Sequence, residues 1–261
     1  LDGRKAVTPM MLALVAIGFT DLLFALDSIP AIYGLTEEPY IVFTANAFAL
    51  MGLRQLYFLI GGLLDRLVYL SVGLSIILGF IGVKPTDTVV ELWPGGGWYT
   101  EILAPYLAGK GKLIAAAPAG KGADSMARRF DADPALYGKV ERANFPTVLG
   151  GTGLAPGTAD VVLTFRNVHN WKMGYMQAEK TDYSEAAFRE IYAMLKPGGV
   201  LGIEDHRLPE SASSERERSS GYIKVSTVRA LAEKAGFELA GSSEINANPK
   251  DTTDWPEGVW T

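Results

Sequence analysis

The pattern of hydrophobic and polar positions changes near residue 84. Before it lie three long apolar stretches, at about residues 7–35, 41–64 and 67–83. A helix needs roughly 20 apolar residues to cross a bilayer at about 1.5 Å rise per residue. The connections between the stretches are very short, which is typical of helices packed as hairpins. The pattern therefore predicts three transmembrane helices and contact with a lipid bilayer through residues 7–83.

After residue 84, short apolar runs alternate with amphipathic stretches. Strands are predicted at residues 88–93, 112–117, 140–143, 159–165, 200–205 and 237–244. Helices are predicted at residues 98–107, 123–130, 184–195 and 225–235. This alternation favours a doubly wound, mostly parallel α/β sheet. We therefore expect two domains, 1–84 and 85–261, and an α/β domain without its final, returning strand, because residues 248–255 form an open polar loop.

Charge and cysteine content refine this division. Residues 1–84 hold only five of the 24 basic and six of the 29 acidic residues, so charge density is about twice as high in the second part. Neither part has a basic patch, which argues against a nucleic-acid partner. The chain has no cysteine, which excludes disulfides, thiolate metal sites and a cysteine nucleophile.

Two carboxylates, Asp21 and Asp27, lie within the first apolar stretch and are followed by Pro30. An unpaired carboxylate in a membrane costs several kcal/mol or becomes protonated, so such residues usually face an ion path or a polar partner. The proline can leave a backbone carbonyl free to coordinate an ion. Two interpretations stay open. The carboxylates belong to an ion path, or they are structural and are satisfied by Asn46 or Arg54 of the second stretch.

Several motifs of this first part occur together: Phe-Thr-Asp at 19–21, Asp-Ser-Ile-Pro-Ala at 27–31, Ile-Val-Phe-Thr at 41–44 and Gly-Leu-Arg at 52–54. With them, residues 5–84 resemble the TerC family of integral membrane proteins. The resemblance implies tellurium resistance or export of a metal ion, notably manganese, with Asp21 and Asp27 as the acidic positions of the second half of that fold. The earlier half is not present in this sequence, so one copy cannot build a path that needs both halves.

In the second part, the strand at 88–93 contains Glu91 and is followed by a turn that contains Gly95, Gly96 and Gly97. In doubly wound sheets a ligand lies at the carboxyl ends of the strands, and the first strand-to-helix turn commonly holds it. Glycine lets a ligand approach the backbone, and the next helix offers free N–H groups. Later, Lys-Pro-Gly-Gly at 196–199 separates a helix from a strand.

These features together resemble class I S-adenosylmethionine-dependent methyltransferases over residues 82–261. The segment Phe-Arg-Asn-Val-His-Asn-Trp at 165–171 is closer still to a bacterial group of predicted methyltransferases. The resemblance implies a Rossmann-like fold, S-adenosylmethionine as cofactor and a small-molecule methyl acceptor. It assigns cofactor binding to the set Glu91, Gly95, Gly96, Gly97 and Asn167. Two departures are Trp93, where the general pattern has glycine, and the second strand, which ends at Ala117 without an acidic residue for the ribose.

The only two histidines, His169 and His206, each follow a predicted strand, and Asp205 directly precedes the second. If these strands are neighbours, both imidazoles lie at the carboxyl edge of the sheet. We expect His169, His206 and Asp205 to be catalytic, with histidine as a general base. Two alternatives remain: a metal site at these three residues, and anchoring of a loop. Arg128 and Arg129 are expected on a helix surface.

Orientation raises a further question. Basic residues near the first helix and after the second favour an inside N-terminus, and three spans would then place the second domain outside. The resemblances imply the bacterial inner membrane, with a cytoplasmic methyltransferase domain if it is functional. We therefore keep three hypotheses: a membrane-attached methyltransferase, a metal-ion transport fragment, and an inactive fusion of the two.

Overall fold

The computed structural model describes residues 73–260 continuously and, before them, residues 11, 15, 18–20, 38–44 and 48. The chain divides into two compact units, Leu1–Tyr69 and Leu70–Thr261. In the first unit, the described residues are helical except residue 38. Asp21 and Asp27, with most of the three predicted membrane stretches, lie outside the described residues. Within the part that is described, no helix is both long enough and apolar enough to cross a membrane.

The second unit is an α/β structure. It begins with helical residues 73–81, here named α1. Its strands are β1 Thr88–Leu92, β2 Lys112–Ala117, β3 Glu141–Asn144, β4 Ala159–Phe165, β5 Leu195–Glu204, β6 Arg207–Leu208 and β7 Ile223–Lys224. Its further helices are α2 Thr100–Leu107, α3 Lys121–Ala132, α4 Pro134–Tyr137, α5 Val168–Lys172, α6 Ser184–Met194 and α7 Val225–Ala235.

Five of the strands form one sheet in the order β3-β2-β1-β4-β5, and every pair is parallel. The strands β6 and β7 form a separate short pair. The chain runs outward from β1 to β3 and then returns to the other side of β1 as β4. The predicted doubly wound α/β fold is thus confirmed for the second unit.

Both faces of the sheet are covered, as expected for parallel strands with long apolar runs. In β1, Val89 belongs to one apolar layer, whereas Val90 and Leu92 belong to the other. The first layer includes side chains of α1, α2 and α3, and the second includes side chains of α5, α6 and α7. Because side chains alternate along a strand, Glu91 shares its face with Val89 and points toward α2.

The helix α1 packs on the sheet. Its Ile77 and Leu78 are buried in the first apolar layer. The side chain of Ile81 lies so close to β5 that a Cβ on Gly202 would come within 2.6 Å of its Cδ1 atom. This part of the third predicted membrane stretch is therefore a helix that covers the α/β sheet.

One predicted strand is wrong, and one boundary shifts. Residues 237–244 form no strand and do not pair with β5, although β5 is the edge strand of the described sheet. Side chains hold this segment instead: Arg207 forms an ion pair with Glu244, and Asn246 donates to Glu204. The strand β5 begins at Leu195 instead of residue 200, with an irregular register opposite Ala159–Val161. The Lys-Pro-Gly-Gly segment is thus part of the strand.

Candidate functional site

The site predicted from the sequence lies at the carboxyl edge of the sheet, between β1 and β4. These two strands are neighbours, with Leu92 opposite Thr164. The chain reverses its direction of travel across the sheet here, which is the position where doubly wound folds bind their ligands. The Gly-rich turn follows β1, and the segment with His169 follows β4.

Glu91 is a buried acid near the end of β1. Its Oε2 atom accepts a hydrogen bond of 2.7 Å from the hydroxyl of Thr100, at the start of α2. Burial raises the pKa of Glu91 to about 7, and the hydrogen bond from Thr100 only partly opposes this rise. The side chain is therefore partly protonated near neutral pH and can donate as well as accept a hydrogen bond.

The turn after β1 is held in a left-handed backbone conformation. Gly95 and Gly97 have positive φ angles of 52° and 83°, which glycine adopts without strain. Trp93 also has a positive φ of 52° although it is not glycine. Its backbone N–H donates to Ala116 at 2.8 Å, and its indole N–H donates to the carbonyl of Phe145 at 2.9 Å. These two bonds account for a tryptophan where the general methyltransferase pattern has glycine.

Gly96 lies under the ring of Trp98, where a Cβ would be 2.8 Å from the indole nitrogen. Trp98 itself is about half exposed. Next to it, Tyr99 stacks on Phe165 with ring centroids 3.4 Å apart. This stack joins the turn after β1 to the end of β4, so the two parts of the candidate site are in direct contact.

Asn167 makes a second connection between these strands. Its side-chain amide is buried and donates to the carbonyl of Leu92 at 3.1 Å and to the hydroxyl of Thr164 at 3.2 Å. Both donor hydrogens of the amide are therefore used within the protein. Asn167 fixes the ends of β1 and β4 relative to each other, and only its carbonyl oxygen is left for a ligand.

His169 and Asp205 form a buried pair. The Nδ1 atom of His169 lies 2.5 Å from Oδ1 of Asp205, and the two side chains are only 4% and 5% exposed. The same carboxylate also accepts the backbone N–H of His169 at 3.1 Å and that of His206 at 2.8 Å. Because the carboxylate of Asp205 accepts this hydrogen bond, the proton of the bond lies on Nδ1 of His169. The Nε2 atom of the same ring is then left as an acceptor.

His206 lies beside this pair without a side-chain hydrogen bond of its own within the described chain. Its ring centroid is 5.6 Å from that of His169 and 6.0 Å from that of Tyr222. Burial lowers the pKa of His206, and the Asp205 carboxylate opposes that shift. The ring of Trp260 contacts His169 from the other side, at 6.2 Å between centroids. Aromatic rings therefore surround the imidazole of His169.

The metal interpretation of these residues finds no support. His169, Asp205 and His206 do come together, but within residues 73–260 and the shorter described stretches no group of three histidine or acidic side chains is arranged to hold a metal ion. The carboxylate of Asp205 is already occupied by three N–H groups.

A cleft of about 480 Å³ opens at the same edge, beyond the ends of β2 and β3. It lies between the residue after β2, the short turn after β3 and the loop after α5. Its lining residues are Ala119, Val148, Leu149, Met176, Gln177, Ala178 and Glu179. Sequence reasoning missed this cleft, because three loops far apart in the chain build it and none of them carries a motif.

Arg129 was expected on a helix surface, and this expectation is wrong for its guanidinium group. The Nη1 atom is buried, has no hydrogen-bond partner within the described chain, and would lie 2.7 Å from a Cβ on Gly97. The group is therefore directed at the Gly-rich turn. The amphipathic pattern of α3 could not reveal this, because the side chain reaches past the face on which its Cα lies.

Comparison with known proteins gives different results for the two parts of the chain. Residues 1–107 match the sequence model of the Integral membrane protein TerC family. The Uncharacterized membrane protein Rv2723 of Mycobacterium tuberculosis is 65% identical over 83 residues, which are 32% of this chain and 21% of that protein. The Uncharacterized membrane protein STKORF319 of Myxococcus xanthus is 51% identical over 83 residues, 26% of its length. The chain thus spans about a fifth to a quarter of these relatives.

Solved structures resemble the second unit. The [4+2]-cyclase SpnF aligns with a TM-score of 0.50 and 14% identity over 66% of this chain and 58% of its own. A SAM-dependent methyltransferase from Aquifex aeolicus aligns with a TM-score of 0.49 and 18% identity over 64% of this chain and 81% of its own. At such identity the likeness concerns the fold alone. The chain is therefore similar to TerC membrane proteins in its first part and has a methyltransferase-like α/β fold in its second unit.

Proposed function

We propose that the second unit binds S-adenosylmethionine and transfers its methyl group to a small-molecule acceptor, with His169 as general base. One observation carries this proposal. The His169–Asp205 pair lies at the same sheet edge as the Gly-rich turn, and Asn167 links the two through its bond to Leu92. His169 lies two residues after Asn167, whose side chain bonds to Leu92 of β1. We therefore propose that His169 acts on a ligand held by the Gly-rich turn.

The residues at this edge fit the cofactor. Gly95 leaves open space above the backbone, since a Cβ there would meet only the carbonyl of Trp93 at 3.8 Å. Glu91 accepts a hydrogen bond from Thr100, at the start of the helix that follows the turn, and so connects this helix to β1. The cleft beside β2 and β3 has mostly small or apolar walls, as an adenine ring requires. Its one carboxylate, Glu179, is our candidate for the ribose contact that Ala117 cannot make.

When bound, S-adenosylmethionine supplies an electrophilic methyl group on a sulfonium. The protein's own task is then to place the acceptor and remove its proton. The Nε2 atom of His169 would take the proton from the O–H or N–H group of the acceptor. The bound cofactor would supply the methyl group and leave as the neutral thioether when its carbon–sulfur bond breaks. The Asp205 carboxylate holds the ring in this tautomer and stabilises the imidazolium that results.

The burial of the base limits the acceptor. The side chain of His169 is only a few per cent exposed and the rings of His206 and Trp260 lie beside it, so an acceptor reaches Nε2 only after these rings move apart, which a small molecule requires least. This favours a small, partly aromatic or apolar acceptor with one ionisable hydroxyl or amine.

Attachment to a membrane is the second component of the proposal. Most of the large apolar side chains described in the first unit are exposed, namely Met11, Val15, Phe19, Ile41, Phe43 and Phe48. Exposed apolar side chains in such number are typical of a lipid-facing or partner-facing surface. Together with the TerC match over residues 1–107, this supports insertion in the bacterial inner membrane. We assign the second unit to the cytoplasm because the cofactor is found there, against the orientation that the charge bias of three spans favours.

Calorimetric titration of S-adenosylmethionine into the detergent-purified full-length chain tests the cofactor assignment. Gly95 and Gly157 form a matched pair, because both have positive φ and open space around them. Gly95→Ala should weaken binding about tenfold or more, because its methyl group lies where the ligand approaches. Gly157→Ala, with the same backbone strain away from the edge, should bind normally. Equal effects in both variants, or no binding heat with the wild type, would refute the assignment.

A second candidate function rests on the family match of the first part. Asp21 and Asp27 would take part in metal-ion transport, with manganese as the ion implied by the resemblance. Radioactive manganese flux into proteoliposomes, compared between wild type and Asp21→Asn or Asp27→Asn, tests this directly. A chain that neither binds the cofactor nor moves the ion would be an inactive fusion.

A further inference from the structure

The side chain of Arg129 is partly buried, and one nitrogen of its guanidinium group lies beside the Gly-rich turn. Its Nη1 atom is excluded from solvent and has no hydrogen-bond partner among the described residues. Its position is defined by the Gly-rich turn, since Nη1 and Cδ lie 2.7 and 3.6 Å from where a Cβ on Gly97 would be. Only a glycine at residue 97 leaves room for this side chain.

The neighbours of Arg129 do not neutralise it. The hydroxyl of Tyr137 borders the same space, 3.6 Å from the Cβ position of Gly97, and donates to Glu101 at 3.4 Å. Glu101 is exposed and lies beyond ion-pair distance from Arg129 in the described structure. The ring of Tyr137 is fixed by its stacking on Phe130, with centroids 4.5 Å apart. The fixed ring of Tyr137 and the Gly-rich turn therefore border a guanidinium nitrogen that has no hydrogen-bond partner within the described chain.

A buried N–H group without a hydrogen-bond partner is costly, so its presence in a folded protein calls for an explanation, and a bound ligand is one. Guanidinium groups prefer planar anions such as carboxylate, or phosphate, which they bind through two parallel N–H bonds. The turn beside Arg129 contains Gly95 and Gly97 in left-handed conformation, and turns of this kind commonly form concave sites for anions. The two features therefore select the same kind of ligand.

We propose that Arg129 binds the anionic end of the molecule held by the Gly-rich turn. This inference rests on the proposed function, in which the ligand is S-adenosylmethionine. The anionic end is then the α-carboxylate of its methionine part. The same chemistry would accept a phosphate, so a dinucleotide is the other source of the anion. Arg129 is thus a specificity-determining residue, which separates the cofactor from analogues without the carboxylate.

Titration of three ligands into the full-length chain tests the inference: S-adenosylmethionine, its decarboxylated form, and NAD⁺ as a pyrophosphate probe. The wild type should bind S-adenosylmethionine about 10- to 100-fold more tightly than the decarboxylated form, which is the range for a charge-assisted hydrogen bond. In Arg129→Ala this preference should vanish, while the affinity for the decarboxylated form changes little. Arg128→Ala, an exposed neighbour on the same helix, is the control and should keep the full preference.

Arg129→Lys keeps the charge without the planar fork and should show a preference between wild type and alanine. Thermal melting without ligand is the control for misfolding. Arg129→Ala should melt at or above the wild-type temperature, because it removes a buried nitrogen that has no hydrogen-bond partner within the described chain. Retained preference in Arg129→Ala, or equal wild-type affinity for both sulfonium ligands, would overturn the inference and leave the proposed function intact. If neither sulfonium ligand binds, the proposed function fails. Arg129-dependent binding of NAD⁺ would then support an anion site for phosphate, and its absence would overturn that too.

Discussion

Two buried carboxyl groups, Glu91 and Asp205, stand at the carboxyl edge of the same sheet in different surroundings. Glu91 receives one hydrogen bond, from the neutral hydroxyl of Thr100. Asp205 receives three, all from N–H groups, one of which belongs to an imidazole that can become positively charged. The two groups therefore differ in their partners. On the side of β1, burial raises the pKa of Glu91 to about 7, and on the side of β4 and β5 the carboxyl group of Asp205 orients an imidazole.

The difference assigns different tasks to the two sides. A carboxyl group that is neutral near pH 7 supports a turn without repelling an anionic ligand. A carboxylate that orients an imidazole increases its ability to take a proton. In our proposal this edge combines a ligand-holding half and a proton-accepting half, and Asn167 and the Tyr99–Phe165 stack connect the strands that carry them.

The largest effect is expected at the proton-accepting half. His169→Ala should lower methyl transfer by about 10²- to 10⁴-fold, which is the usual contribution of a general base. Release of S-adenosylhomocysteine with a panel of small phenols, amines and carboxylic acids measures this. The dissociation constant of S-adenosylmethionine should stay unchanged. Unaltered turnover would remove His169 from the mechanism.

At the ligand-holding half, Glu91→Gln should change how stability depends on pH. Burial raises the folded-state pKa of Glu91 to about 7, above the ordinary glutamate value of 4.5. The folded form therefore binds the proton more tightly, and Glu91 lowers the stability of the wild type as pH rises from about 4.5 to 7. The neutral glutamine avoids this loss, so the variant should be more stable than wild type by up to roughly 3 kcal/mol at pH 8.

Urea unfolding at pH 5 and pH 8 measures the Glu91 effect. The difference between variant and wild type should be small at pH 5 and should widen up to pH 8. A difference that is constant over this range would contradict the neutral-acid assignment.

Asn167→Ala should weaken the connection between the two halves. It leaves the buried carbonyl of Leu92 without its donor, a loss of about 1–3 kcal/mol in unfolding free energy. Asn170→Ala, whose amide donates to Arg166 at 3.2 Å in an exposed position, should cost less than about 1 kcal/mol. If the two variants melt at the same temperature, Asn167 does not hold the strand ends together.

The smallest effect is expected for His206→Ala. The contribution of His206 to Asp205 comes from its backbone N–H, which alanine retains. Turnover should fall by less than about fivefold, or under about 1 kcal/mol in barrier. A loss as large as that of His169→Ala would show that both imidazoles take part in proton transfer.

Sequence patterns predicted the strands and helices of the second unit because apolar runs and caps are local features. β2, β4 and α7 have the predicted bounds. The strand predicted at 237–244 is wrong because side-chain contacts of Glu244 and Asn246, and not backbone pairing with β5, hold this segment, and such contacts are not visible in a local pattern. The short helix α5, which carries His169, lacks enough residues for a periodic pattern and was missed.

The site was only partly visible in the sequence. Glu91, the glycines and the His169–Asp205 pair stand out as polar or small residues at strand ends. The tasks of Asn167 and Arg129 depend on contacts with residues 75 and 32 positions away along the chain, which no local pattern encodes. The helix α1 is a further example. Its apolar face can contact either a bilayer or the sheet, and the sequence pattern alone does not distinguish the two.

Hydrogen–deuterium exchange of the full-length chain, with and without saturating S-adenosylmethionine, tests most directly whether the two halves form one site. The account predicts slower exchange in the turn at residues 93–99 and in the cleft loop at 175–179, with α7 unchanged as an internal reference. Exchange that is identical with and without the cofactor in both segments would contradict it.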